Sequence, residues 1–273
     1  MGKQLTETIS GQIFEALKSD VLLGRVAPNK RLHAEALREK YDVSLSPVRE
    51  ALQRLVATGL VVASERRGFR VAGLTRADLA DLGRTRRHIE RTAVAEAMRL
   101  GDDDWEADVA RAIHALSKVT RVSEGKLAYG PEWEARHRQF HLAMVTGCGS
   151  PRLIQIWSGL FDQGIRYRRI AQMLDLYHGD TPSEHIELSE LVISRDQRAL
   201  DRIDSHVGVC ARLISEALDD DLLRCADAIA KKLADEDQPD GSGVLRGVEN
   251  GLTRKQAGLF TDATVPLREV SYD

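Results

Sequence analysis

The stretch WEARHRQFH, from Trp133 to His141, sets two imidazoles four residues apart. On an α-helix such neighbours stand about 6 Å apart between Cβ atoms, so His137 and His141 can hold one ion from the same side. Two ligands do not complete a site. Further along, His185 follows a Pro182-Ser183 helix start, and His206 falls midway along a later helical stretch. If these helices share an interior, four neutral imidazoles converge. That donor set suits zinc above all, with nickel, iron or copper as alternatives, and is poor for calcium or magnesium. The chain also carries His33, His88, His114 and His178, so imidazole is not rare in it, and histidines on amphipathic helices are often surface residues. The HRQFH spacing is also that of a zincin protease, but that chemistry needs a Glu beside the first His as general base. Arg138 stands there, and a cation cannot take a proton from water. With no GxSxG elbow and no cysteine nucleophile with a partner, a metallohydrolase is the weakest alternative.

The elements that position these groups must come from 273 residues, about the length of two domains with a core each. The composition, 42% hydrophobic and 30% charged, is that of a soluble protein. No apolar run approaches a membrane span and no apolar leader follows Lys3, so a cytoplasmic protein with no membrane partner is expected. Three scattered cysteines, Cys148, Cys210 and Cys225, read as small buried hydrophobes in a reducing compartment. Charge is divided unevenly. Residues 1–75 hold 12 Lys/Arg against 8 Asp/Glu, a net +4, and the remainder is net −7, compatible with nucleic-acid contact through the first part only.

In that first part, Ile9, Ile13, Phe14, Leu17, Val21 and Leu22 recur at helical spacing, and Gly24 with Pro28 ends the run. A short helix over 34–41 and a turn at Asp42-Val43-Ser44 lead into SPVREALQRLVATG. There Ser46 reads as the cap, Pro47 as the first helical residue and Gly59 as the left-handed stop. Ala51, Leu52, Leu55 and Val56 make the buried stripe, with Arg49, Gln53 and Arg54 outside it. VVAS and FRVA read as strands around the turn ERRG. Helix, helix, turn, helix and basic hairpin is the order of a winged helix-turn-helix. Its third helix offers Ser44, Ser46, Pro47 and Arg49 to base edges, and the hairpin offers Arg66, Arg67 and Gly68 to phosphates or the minor groove.

These residues also carry a resemblance. YDVSLSPVREALQRLVATGLV followed by RRGFRV is similar to the DNA-binding domain of the GntR family of bacterial transcriptional regulators, over about 70 residues. The family commonly has Arg after the first Ser of its VSRTPVREAL pattern; this chain has Leu45, so one DNA contact is missing. The LSPVREAL form resembles the CsiR-like branch.

From Thr75 the pattern is helical. Thr75 and Asp78 suggest a capping box, and Leu79, Leu82, Ile89, Ala93, Ala97 and Leu100 form an apolar stripe to Gly101. Helices then follow from about 102, 131, 151, 183 and 197, giving six or seven in an antiparallel bundle. Residues 78–218 resemble the FCD ligand-binding domain of the FadR subfamily. There an Asp precedes the His of an FH pair, followed by a His in an EH pair and a third His about twenty residues on. Phe140-His141, Glu184-His185 and His206 match, and His137 stands at the Asp position, as a neutral ligand or as part of the wall. Arg86, in TRRHIE where the subfamily tends to have Arg four residues before Glu, and Arg166, in IRYRR, are the candidates for holding an effector carboxylate, with a surface ion pair as the alternative for each. Beyond 232 the chain turns charged and turn-rich, as a mobile tail would.

The expectation is a mainly α protein: a winged helix-turn-helix over 1–74, an antiparallel all-helical FCD-type bundle for effector binding and dimerisation over 75–232, and a tail over 233–273. The resemblance implies a homodimeric regulator, reading double-stranded operator DNA at two half-sites and sensing a small carboxylate at a divalent metal. The alternative is a metal-responsive regulator in which the ion is the signal.

Overall fold

The computed structural model describes residues 8–64, 68–119, 122–123, 126–127, 130–173 and 182–217. Arg66, Arg67, His178, Cys225 and the expected tail at 233–273 lie outside the described residues. The chain divides between Ala72 and Gly73 into two compact units.

In the first unit, α1 (Ile9–Leu22) begins where the Thr8 hydroxyl accepts from the Gly11 N–H at 3.2 Å. It buries Ile13, Phe14, Leu17 and Val21 on one face. After β1 (Arg31–Leu32), α2 (Ala34–Tyr41) ends at Asp42, whose φ of 50° is left-handed. Next comes α3 (Leu45–Ala57), with Val48, Ala51, Leu52 and Leu55 buried, and Gly59 at φ 75° turns the chain out of it. The sequence placed the cap of α3 at Ser46, but the helix starts earlier, with Ser44 at the cap and Pro47 third in the helix. Proline costs nothing there, because the N–H groups of a first turn have no acceptor inside the helix. β2 (Val61–Ser64) and β3 (Gly68–Val71) form the hairpin, and β1 adds to β3 to give the antiparallel order β1-β3-β2. Two residues carry no periodicity, so β1 was not legible in the sequence. Leu32, Val61 and Val71 close the sheet onto the helices' core.

Six helices make up the second unit among the described residues: α4 (Arg76–Leu100), α5 (Asp103–Val119), α6 (Pro131–Thr146), α7 (Pro151–Met173), α8 (Pro182–Ile193) and α9 (Arg198–Ala217). A short hairpin, β4 (Val122–Ser123) and β5 (Lys126–Leu127), joins α5 to α6. The Thr75 hydroxyl accepts from the Asp78 N–H at 3.0 Å, so the capping box at the head of α4 forms its first half. Leu100 does not continue the buried stripe; it is 48% exposed. The inner face passes through Val94, Ala97 and Met98, and two residues beyond Met98 the helix has turned roughly 200°. Where α4 meets α9, a Cβ on Gly83 would lie 2.7 Å from the Cβ of Ala211, so only glycine permits that approach.

Beyond Gly101 one side chain ties three segments together. Arg195, at φ 56°, donates to the carbonyls of Met98 at 2.5 Å and Gly101 at 3.0 Å and pairs with Glu106 at 2.5 Å. It thereby satisfies carbonyls that the end of α4 leaves open. Arg195→Ala is expected to lower the unfolding free energy by about 1–3 kcal/mol, read as a fall in the urea midpoint at unchanged slope.

Candidate functional site

Three helices bring the four histidines together. On α6, His137 and His141 face inward a turn apart; α8 contributes His185 and α9 His206, and all four are buried. One ligand atom from each lies within 4.8 Å of every other. Ring centroids stand 4.6 Å apart for His137–His141, 4.9 Å for His137–His185, 4.9 Å for His185–His206 and 5.1 Å for His141–His206. His88 and His114 are exposed on the outer faces of α4 and α5, and His33 is exposed in the first unit.

The tautomer at His141 follows from its neighbour. Glu90, fully buried on α4, has an Oε1 2.6 Å from His141 Nδ1 and an Oε2 that accepts from Arg86 Nε at 3.0 Å. Burial pushes this carboxyl up, but the Arg86 charge and the hydrogen bond from His141 outweigh it and bring it down to about 2. The carboxylate therefore accepts, His141 Nδ1–H donates, and the lone pair is left on Nε2. That Nε2 is buried with no hydrogen-bond partner. An imidazole fixed through one nitrogen by a carboxylate, with the other bare and facing three more imidazoles, fits a transition-metal ion. His137 is held neutral, its pKa pushed well below the usual range by burial first and by the Arg168 charge next. It stacks on Trp133 with centroids 4.5 Å apart. Glu90→Gln should leave all four imidazoles in place yet weaken metal binding about 10- to 100-fold, measured by competition with a fluorescent chelator.

Sequence reasoning passed over Glu90, Glu134 and Arg168. Glu134 sits three residues before His137 and seven before His141, on their face of α6. It accepts two bonds from Arg168, Nε to Oε1 at 3.0 Å and Nη2 to Oε2 at 2.7 Å. The helical spacing 134, 137, 141 was the signal that could have found it. Of the two guanidinium candidates, Arg86 joins the site through Glu90 and lies 4.4 Å over the Phe161 ring. Arg166 is buried as well. On α7 it stands roughly 200° around from Arg168, in a buried setting influenced by Tyr167 and Asp78, where burial lowers its pKa to about 10. Arg138 turns to α7, donating to Asp162 at 2.8 Å and to the hydroxyl of Ser158.

In the first unit Ser44, Ser46 and Arg49 are exposed at the start of α3 and Pro47 is half-buried. Ser46, Arg49 and Gln53 form one outward track, opposite the buried face. Gly68 is exposed at the head of β3 with φ 71°, the left-handed region that favours glycine. Leu45 is half-buried.

Residues 9–71 match the family model for bacterial regulatory proteins, gntR family, and residues 81–209 match the FCD domain. The HTH-type transcriptional repressor GlaR of Escherichia coli is 35% identical over 214 residues, which is 75% of this chain and 95% of that protein. The HTH-type transcriptional regulator McbR of the same species is 29% identical over 71% of this chain and 84% of its own. A solved structure of E. coli McbR/YncC superposes with a TM-score of 0.55 at 21% identity, over 84% of this chain and all of that one, a likeness of fold.

Proposed function

The chain belongs to the GntR family of bacterial regulatory proteins, DNA-binding transcriptional regulators and not enzymes, with an FCD domain following the DNA-binding domain in sequence; from there we propose that its bundle senses a small organic acid at a bound divalent metal. The observation that carries this reading is the convergence of four buried imidazoles with Glu90 fixing one of them. His137, His141, His185 and His206 would hold the ion, which when bound supplies a Lewis-acidic position for an anionic oxygen.

Charge favours an anion at that position. The imidazoles are uncharged ligands, Glu90 is matched by Arg86, and Glu134 by Arg168, so the protein leaves a dication's charge without an equal negative charge around it. A carboxylate effector provides it. Arg86 is in this reading the cation that fixes Glu90.

In this proposal the protein acts as a homodimer, because one short recognition helix spans too few base pairs to select a site in a genome. The effector shifts DNA affinity only by preferring one arrangement of the two readers, a coupling typically of about 1–3 kcal/mol. The test is thermal-shift and DNA-anisotropy titration with mono- and dicarboxylates, before and after chelation. The expected result is that an acid stabilises the metal-loaded form, changes its DNA affinity, and does neither after chelation. A change in DNA affinity driven by zinc alone, indifferent to every acid, would replace this reading with a metal-responsive regulator.

A further inference from the structure

The cations of the first unit fall into two sets. Arg25 pairs with Asp20 at 3.2 Å, Arg38 with Glu35 at 3.0 Å, and Lys40 with Asp20 at 3.6 Å, while Arg54 lies 4.1 Å over the Phe14 ring. Arg31, Arg49 and Arg70 have no side-chain ion pair or hydrogen bond among the described residues. Two of these three face each other across the sheet, since the register sets Arg31 of β1 directly opposite Arg70 of β3. Leu32 and Phe69, the next pair, turn to the core, so the two arginines share the outer face. Like charges directly opposite cost stability, and an anion lying against the pair would relieve that cost. Arg31, though not Arg70, lines a groove with His33, Arg49, Gln53, Gly68 and Phe69, which joins this strand edge to the outward track of α3. Leu45 offers no cation at the start of that helix.

We propose that Arg31 and Arg70 form a second phosphate-contacting edge, so that one sugar-phosphate strand of duplex DNA lies along the groove while α3 reads the bases. The edge adds sequence-independent affinity and fixes register; it supplies the positive charge that Leu45 does not. Phosphate is the favoured partner because guanidinium groups on adjacent strands, with Cα atoms about 5 Å apart, can straddle its oxygens.

The experiment uses the full chain and a short random-sequence duplex, whose binding is phosphate-driven, with affinity followed by anisotropy from ~50 to ~200 mM KCl. Arg31→Ala with Arg70→Ala is expected to lower the salt slope by about 1 for each arginine per protomer and to weaken binding on the order of tenfold. Arg31→Lys with Arg70→Lys keeps the slope, and Arg38→Ala, at an arginine already paired, leaves slope and affinity unchanged. Arg31→Gln alone, at an exposed position that does not threaten the fold, shows its own loss of about 1 in slope. An unchanged slope for Arg31→Gln, or an equal loss for Arg38→Ala, overturns the proposal whatever the double variant does.

Discussion

Glu134→Ala is expected to lower the unfolding free energy by about 3–5 kcal/mol. Arg168 is 2% exposed and grips both oxygens of Glu134, so truncation leaves a guanidinium charge in the interior without its carboxylate. The loss reflects the stranded charge more than the worth of the pair. Glu134→Leu combined with Arg168→Met should therefore recover most of the stability, since apolar groups of similar volume often replace a buried ion pair at little cost. Urea unfolding of the two forms separates these outcomes. Equal destabilisation of single and double variants would mean that the pair itself, not the uncompensated charge, carries the energy.

His141→Ala is the second large effect, and it falls on the metal. The variant is expected to take the ion content, measured by elemental analysis after dialysis, from about one per chain to background, because it removes the ligand that Glu90 orients. Retention of full stoichiometry would remove the site from the molecule. His137→Asp is the informative companion. It should keep the ion while exchanging a neutral donor for a negative one, so that an anionic effector binds more weakly, a shift readable by the same thermal titrations. If His137→Asp leaves effector affinity unchanged while the ion is retained, His137 lines the wall and does not ligate.

The first unit was legible in the sequence because its signals are local. The apolar spacing from Ile13 to Val21 and the left-handed stop at Gly59 are each set within one or two helical turns, and the start of α3 was missed by only two residues. The two-residue β1 escaped because its formation depends on β3, more than thirty residues away. The four histidines were legible by type and spacing. Their supports were not, because periodicity assigns the inner face of a helix to apolar residues. Glu90 occupies the inner face of α4, and Glu134 that of α6, so each looks like a solvent-facing charge until its partner on another helix, His141 or Arg168, is known. Arg168 is another such case: in IRYRR the charge is plain, but that residue 168 turns to Glu134 depends on what α6 offers it.

Gly83 sets the distance between the helix that carries Glu90 and the helix that carries His206. A single methyl group at 83 would wedge those two rods apart at one point and shift their separation further along, altering the grip on an ion without changing any atom that touches it. If the four histidines hold an ion as proposed, position 83 is a tuning screw for its affinity, one that natural variation or a designer could turn while every ligand stays the same.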